Sequence, residues 1–141
     1  MIEGIDIRVG VDLVSVQRIT DIVERRGARF LTDHFSAAER RQLEAVANGR
    51  LETLSGRVGA KEALIKMLAP EDQMVPWRDI EVLAQGGRAP AARLSGAAAE
   101  LAQARGLGSV DISISHEGLW AVAVAVGVFG SPGRDTKGWD R

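Results

Sequence analysis

Trp120-Ala121-Val122-Ala123-Val124-Ala125-Val126 alternates with a period of two. Successive side chains of a strand point to opposite faces, so Trp120, Val122, Val124 and Val126 share one face while Ala121, Ala123 and Ala125 share the other. A strand apolar on both faces has to be covered on both. The cover is either helices of the same chain or a second subunit, for which the small alanine face would permit close approach. The strand extends from Leu119 to Val128, and its apolar run, Leu119 to Val126, is too short to span a bilayer. Just upstream, Val110, Ile112 and Ile114 alternate in the same way, with His116-Glu117-Gly118 as the turn. The chain therefore closes on an antiparallel hairpin.

Outward from that hairpin the pattern changes. Ile5, Ile7, Val9 and Val11 alternate with polar residues or glycine, which predicts an N-terminal strand ending near Asp12. Val16, Ile19, Ile22 and Val23 then recur at helical spacing, with Gly27 as a stop. Ser36-Ala-Ala-Glu39 has the form of a capping box and predicts a helix reaching about Asn48-Gly49. Leu51 to Leu68 is a longer helix, with Pro70 just past its end. Ile80 and Val82 open a short strand, Gln85-Gly86-Gly87-Arg88 makes a turn, and Ala92 to Leu94 returns. Ala97 to Arg105 is a further helix stopped by Gly106. The expected order is strand, three helices, hairpin, helix, hairpin: an α+β fold with a mostly antiparallel sheet packed with helices. One domain is expected over residues 1–129, with 130–141, rich in Pro and Gly, as a flexible tail.

Composition narrows the function classes. Hydrophobic residues make up 45%, enough for a core, but aromatics are limited to three Trp and three Phe, so Val, Ile, Leu and Ala must build it. Eighteen Lys plus Arg against nineteen Asp plus Glu argue against a general nucleic-acid binder. The chain has no cysteine, which excludes disulfides, thiolate metal sites and a cysteine nucleophile. Met1 to Leu13 has the alternation of a strand and not of a signal peptide, so the cytoplasm is the expected location, without a membrane partner.

The long helix carries charges where apolar residues belong. Lys61 falls within its apolar stripe, Glu62 at the edge, and Lys66 one turn after Glu62. Such charges are costly to bury unless paired or holding a ligand. They are explained either by a snorkelling Lys61 with a surface Glu62–Lys66 pair, or by a site. Asp12 caps the next helix, a role Ser15 would fill equally well, or joins Glu62 as a hard oxygen pair. Mg²⁺ is commonly held by one or two carboxylates and completed by water and phosphate oxygens. Arg57, Lys61 and Lys66 nearby would complement phosphate, the set that phosphoryl transfer requires. His116, in phase with Ile112 and Ile114, caps an apolar hairpin face or serves a site. Ser113, Ser115 and His116 do not make a hydrolase, because there is no G-x-S-x-G and neighbouring strand side chains diverge.

Gly10-Val11-Asp12-Leu13-Val14-Ser15-Val16-Gln17-Arg18 resembles the G-x-D-[IL]-x-x-x-x-R opening of holo-acyl-carrier-protein synthases. Arg57-Val58-Gly59-Ala60-Lys61-Glu62-Ala63-Leu64-Ile65-Lys66 is similar to that family's R-[FW]-[AS]-x-K-E-A-x-x-K signature. Phe35-Ser36-Ala37-Ala38-Glu39, Trp77-Arg78-Asp79-Ile80-Glu81-Val82 and Ser113-Ile114-Ser115-His116 fall where the family has counterparts. The resemblance spans about Ile5 to Val128.

It implies a transfer of 4′-phosphopantetheine from coenzyme A to a serine of an acyl-carrier protein, releasing adenosine 3′,5′-bisphosphate, within fatty-acid and lipid biosynthesis. It implies Asp12 and Glu62 as Mg²⁺ ligands and, with Lys66 beside the transferred phosphate, as the catalytic set. Arg57, Lys61, Lys66 and His116 would hold coenzyme A, and Arg18, Ile22 and Arg25 on the helix after Asp12 would dock the acidic carrier. It further implies a homotrimer with active sites between subunits. The alternatives are the same chemistry on a polyketide or other secondary-metabolism carrier, or a non-catalytic carrier- or nucleotide-binding module of the same fold. The sequence departs from the family at Val58-Gly59, at Lys66-Met67-Leu68-Ala69-Pro70-Glu71, where the usual K-A-[FL]-G-[TS]-G glycines are missing, and at Gly87-Arg88-Ala89-Pro90.

Overall fold

The computed structural model describes residues 4–130. Strand β1 (Ile5–Ser15) is followed by four helices: α1 (Val16–Arg26), α2 (Ala28–His34), α3 (Ala37–Glu44) and α4 (Arg50–Leu68). A single 3-10 turn (Trp77–Asp79) leads into the hairpin β2 (Ile80–Gln85) and β3 (Arg88–Leu94). Helix α5 (Gly96–Ala104) and the strands β4 (Leu107–Glu117) and β5 (Trp120–Gly130) complete the chain. The main sheet is antiparallel throughout, in the order β1-β5-β4, and β2-β3 forms a separate two-stranded ribbon. The α+β expectation holds.

Several boundaries differ from the sequence reading. Helix α2 is an additional short element: Gly27, at φ 60°, ends α1 and restarts the chain as a new helix whose Phe30 is buried. Strand β1 runs three residues past Asp12, so Asp12 caps nothing. Ser15 is the cap of α1, its Oγ accepting from the Arg18 N–H at 3.2 Å. Strand β4 continues through His116 and Glu117, which leaves Gly118 and Leu119 as the turn. Gly130 is paired with Ile5 and belongs to β5; the tail expected over Ser131–Arg141 lies outside the described residues.

Helix α4 is the axis of the molecule, buried almost all round from Leu54 to Lys61. It lies on the sheet face formed by Gly10 and Val14 of β1, Ala121, Ala123 and Ala125 of β5, and Ile112 of β4. Gly10 and the three alanines are small because the helix comes very close. A Cβ at Gly10 would stand 1.8 Å from the carbonyl oxygen of Ala63. One at Gly59 would meet Ala123 and Val14 at 3.3 Å. Gly59 weakens an isolated helix by about 1 kcal/mol relative to Ala, and its position explains the concession.

The alanine face was a candidate subunit interface, and the structure corrects this. Ala123 and Ala125 are fully buried beneath the chain's own α4. The opposite face is the open one: Ile5, Ile7, Val9, Val11 and Leu13 are 45–65% exposed, and Val126 of β5 is 36% exposed.

Lys61 does not snorkel. It is fully buried, and its ammonium donates to Glu39 Oε1 at 2.9 Å, to the Trp77 carbonyl at 2.9 Å and to the Ile80 carbonyl. Burial lowers its pKa, and Glu39 opposes that shift. Glu39, itself 1% exposed, completes the capping box with Ser36 and also accepts from the Val82 N–H at 3.2 Å. One ion pair therefore joins α3, α4, the 3-10 turn and β2. Removing one partner of such a pair strands the other in the interior. Lys61→Met is expected to cost about 3–5 kcal/mol in urea unfolding, and adding Glu39→Gln, which removes the stranded charge, is expected to recover part of the loss.

Candidate functional site

Asp12 lies on the α4 side of β1, between Gly10 and Val14, opposite Ala123 in the register. The close approach at Gly10 brings it within reach of α4. Lys66 Nζ donates to Asp12 Oδ1 at 3.0 Å and to the Val11 carbonyl at 2.9 Å. The alternative Glu62–Lys66 surface pair is therefore not formed; Lys66 turns to β1 instead. Asp12 is 20% exposed and Lys66 52%, so the pair borders solvent.

Glu62 precedes Lys66 by four residues, about 6 Å along the helix axis, so α4 carries Glu62 one turn away from the Lys66–Asp12 pair that joins it to β1. The indole Nε1 of Trp77 donates to Glu62 Oε1 at 2.6 Å. Among the described residues, neither Asp12 Oδ2 nor Glu62 Oε2 has a protein hydrogen bond, leaving one oxygen of each carboxylate available. No set of three acidic, histidine or cysteine side chains converges among the described residues. A two-carboxylate donor set fits an ion such as Mg²⁺, whose shell water and phosphate oxygens complete, and fits poorly the nitrogen- and sulfur-rich sites of zinc.

Glu62 opens into a cleft of about 800 Å³. Ile22, Arg25 and Arg26 of α1, Phe30 and His34 of α2, and Met74 to Arg78 form its walls. Ile22 and Arg25 thus share a cleft with Glu62, while Arg18, one turn earlier, is exposed on α1 outside its lining. Arg26, His34, Trp77 and Arg78 are not among the site residues expected from the sequence, although Trp77 and Arg78 belong to a segment that carries the family resemblance. His34 and Trp77 owe their place to α2 and the 3-10 turn, whose position depends on tertiary packing; their rings meet edge-on at 5.3 Å. Burial, followed by the charge of Arg26, lowers the pKa of His34.

Arg57 and His116 share a different and smaller pocket, about 180 Å³, with Thr53, Ile114, Arg88 and Pro90. Arg57 and Glu62 are five residues apart on α4, about 140° around the helix at 3.6 residues per turn, which is why one chain places them in separate concavities. Arg57 is largely committed to the fold: its guanidinium donates to the Val82 carbonyl and, at 3.3 Å, to Gln42 Oε1. Burial lowers its pKa, against the pull of Glu39. His116 is exposed. Lys61, expected as a coenzyme A ligand, reaches neither pocket: it is fully buried with three acceptors around its ammonium.

After Lys66 the helix ends at Ala69, in the left-handed conformation at φ 47°, with its N–H on the Ile65 carbonyl at 2.9 Å. The chain therefore keeps a left-handed helix stop there without glycine, at the steric expense that a Cβ brings to this conformation.

Comparison with known proteins gives the family. The model of the 4′-phosphopantetheinyl transferase superfamily matches residues 8–125. The holo-[acyl-carrier-protein] synthase of Desulforudis audaxviator is 42% identical over 120 residues, covering 85% of this chain and 91% of that protein. That of Halothermothrix orenii is 38% identical, covering 90% and 98%. The coenzyme A complex of the Chronobacterium ammoniagenes synthase superposes with a TM-score of 0.76 at 34% identity, covering 89% of this chain and 99% of that one. With its fold, its signature segments and nearly its whole length matched, this chain belongs to the holo-[acyl-carrier-protein] synthase family of the 4′-phosphopantetheinyl transferases.

Proposed function

We propose that the family's reaction, transfer of 4′-phosphopantetheine from coenzyme A to a serine of an apo-acyl-carrier protein, runs in this chain at the Asp12–Glu62–Lys66 group. The observation that carries the reading is Lys66 bridging from α4 to Asp12, one helical turn from Glu62. Asp12 and Glu62 would hold a Mg²⁺ ion on the pyrophosphate of coenzyme A. When bound, that ion would neutralise phosphate charge that repels an incoming oxygen. Lys66, half exposed, adds a cation that can turn from Asp12 to a phosphate oxygen. The serine oxygen attacks the phosphorus that bears pantetheine, the P–O bond to adenosine 3′,5′-bisphosphate breaks with its electron pair leaving on that oxygen, and the serine proton passes to solvent water. Positioning and charge stabilisation do most of the work in such a transfer.

Ile22 and Arg25, which line the cleft beside Glu62, and Arg18, exposed one turn earlier, form the docking face for an acidic carrier. Arg57, Arg88 and His116, in the smaller pocket, hold the nucleotide end of coenzyme A. The carrier assigned is that of fatty-acid synthesis, with the enzyme in the cytoplasm. No helix of the described residues is long and apolar enough to cross a membrane.

A homotrimer fits two observations. The row Ile5, Ile7, Val9, Val11 and Leu13, with Val126 beside it, is an apolar sheet face too extensive to leave in water without purpose. Glu62 and the nucleotide-side residues Arg57 and His116 line two separate pockets of one chain, and in a trimer a neighbouring copy would bring its own Arg57–His116 pocket to the first chain's Glu62 cleft.

Transfer followed by intact mass of the carrier is expected to stop in excess chelator and to return with Mg²⁺ or Mn²⁺. Glu62→Gln, which keeps shape and removes charge, is expected to lower turnover by about 10³-fold or more (about 4 kcal/mol) with an unchanged melting temperature. Unaltered activity would refute the carboxylate pair. Arg18→Ala is expected to raise the KM for the carrier several-fold and leave kcat nearly as it was, a split that initial-rate kinetics resolves. For assembly, Val11→Asp on the exposed face is expected to give monomers in sedimentation and to abolish most transfer. A trimer that tolerates Val11→Asp would place the interface elsewhere.

A further inference from the structure

Trp77 is held from three sides. Its carbonyl accepts from the buried Lys61 ammonium at 2.9 Å. Its ring stands edge-on to Phe30 at 6.3 Å and to His34 at 5.3 Å. Its indole N–H donates to Glu62 Oε1 at 2.6 Å. Lys61 and Glu62 are consecutive on α4, so one residue of the 3-10 turn grips two successive side chains of the helix, one through its backbone and one through its ring.

The grip matters because Glu62 has another partner within reach. Lys66 lies one turn further along the same helix, where an i,i+4 pair would form readily. That pair would draw the carboxylate along the helix and offset part of its charge toward a cation. In the structure Lys66 is engaged with Asp12, and the indole takes Glu62. A neutral donor fixes direction without supplying charge. It engages Oε1, while Oε2 has no protein hydrogen bond among the described residues.

From this geometry we propose that Trp77 is a positioning residue: its indole N–H sets the orientation of Glu62 so that the second carboxylate oxygen faces the cleft with its charge intact. The proposal rests on the assignment of Glu62 as a metal ligand. Partners that orient a metal ligand typically contribute 10- to 100-fold to metal affinity. Trp77→Phe keeps an aromatic ring beside Phe30 and His34 and deletes the donor together with the pyrrole part of the indole.

The test is Mn²⁺ binding in the presence of coenzyme A, followed by the loss of the free-ion paramagnetic resonance signal. Trp77→Phe is expected to weaken Mn²⁺ about tenfold or more. In transfer assays the KM for the metal is expected to rise by a similar factor, with kcat largely restored at saturating metal. Mn²⁺ affinity equal to that of the unsubstituted protein would overturn the positioning role. Glu62→Gln serves as the reference. If it too binds Mn²⁺ normally, the ligand assignment itself falls; if it loses Mn²⁺ while Trp77→Phe does not, only the role of Trp77 falls. Should Trp77→Phe fail to fold, the unsubstituted protein gives the answer through its indole N–H resonances, assigned with Trp120→Phe and Trp139→Phe. The Trp77 resonance is expected to shift when Mg²⁺ and coenzyme A are added together, because Glu62 becomes polarised; a resonance that stays in place overturns the proposal.

Discussion

The buried pair Lys61–Glu39 is the constraint on which the rest of the molecule depends. An ammonium with no exposure cannot stay charged without several acceptors around it, and here it has a carboxylate and two carbonyls. Those acceptors come from α3 and from the 3-10 turn with the start of β2, segments that Gln42 of α3 also ties together through Ala84. Such a pair contributes little net stability over a well-packed apolar core. What it supplies is direction: each segment is admitted only in the position that satisfies Lys61. Glu39 does two things at once, since the oxygen that receives Lys61 also closes the capping box of α3.

The functional group is built on the same helix, one residue further on. Because Lys61 faces inward, Glu62 is turned about 100° toward the surface, and the Trp77 segment that Lys61 holds by its carbonyl delivers an indole to Glu62. The other half of the group depends on closeness rather than charge. Gly10 lets the α4 backbone lie against β1 where any Cβ would collide with the Ala63 carbonyl. Only at that separation does Lys66 reach both Asp12 and the Val11 carbonyl. The alanines of β5 serve the same contact from the next strand, which is why they are small and why they are covered.

The covering of β5 shows where sequence patterning stops short. Alternation of alanine and valine states that both faces are apolar but not which one the chain covers for itself. The intuition that small residues favour contact between subunits selects the wrong face here. Small residues favour close contact of any kind, and α4, tethered in the same chain, occupies that contact. The branched side chains of β1 and β5 are left facing outward.

The sequence by itself determined the strands, the hairpins and four of the five α-helices, because periods of two and 3.6, capping boxes and glycine stops are local properties of the chain. It also marked Asp12, Glu62 and Lys66, through the resemblance of the segments around them to the family signatures rather than through their spacing, which a surface ion pair and a helix cap would also explain. The short helix α2 was not legible: one apolar turn after Gly27 is too brief to show a period, and its Phe30 is helical because it has a core to enter. The separate fates of Lys61 and Lys66, two lysines of one signature, were not legible either. One is a structural cation with three internal acceptors and the other an exposed partner of Asp12. That choice rests on where Glu39, Trp77 and Ile80 come to lie, residues distant in sequence from α4, and a buried charge is settled only by the acceptors that tertiary packing brings to it.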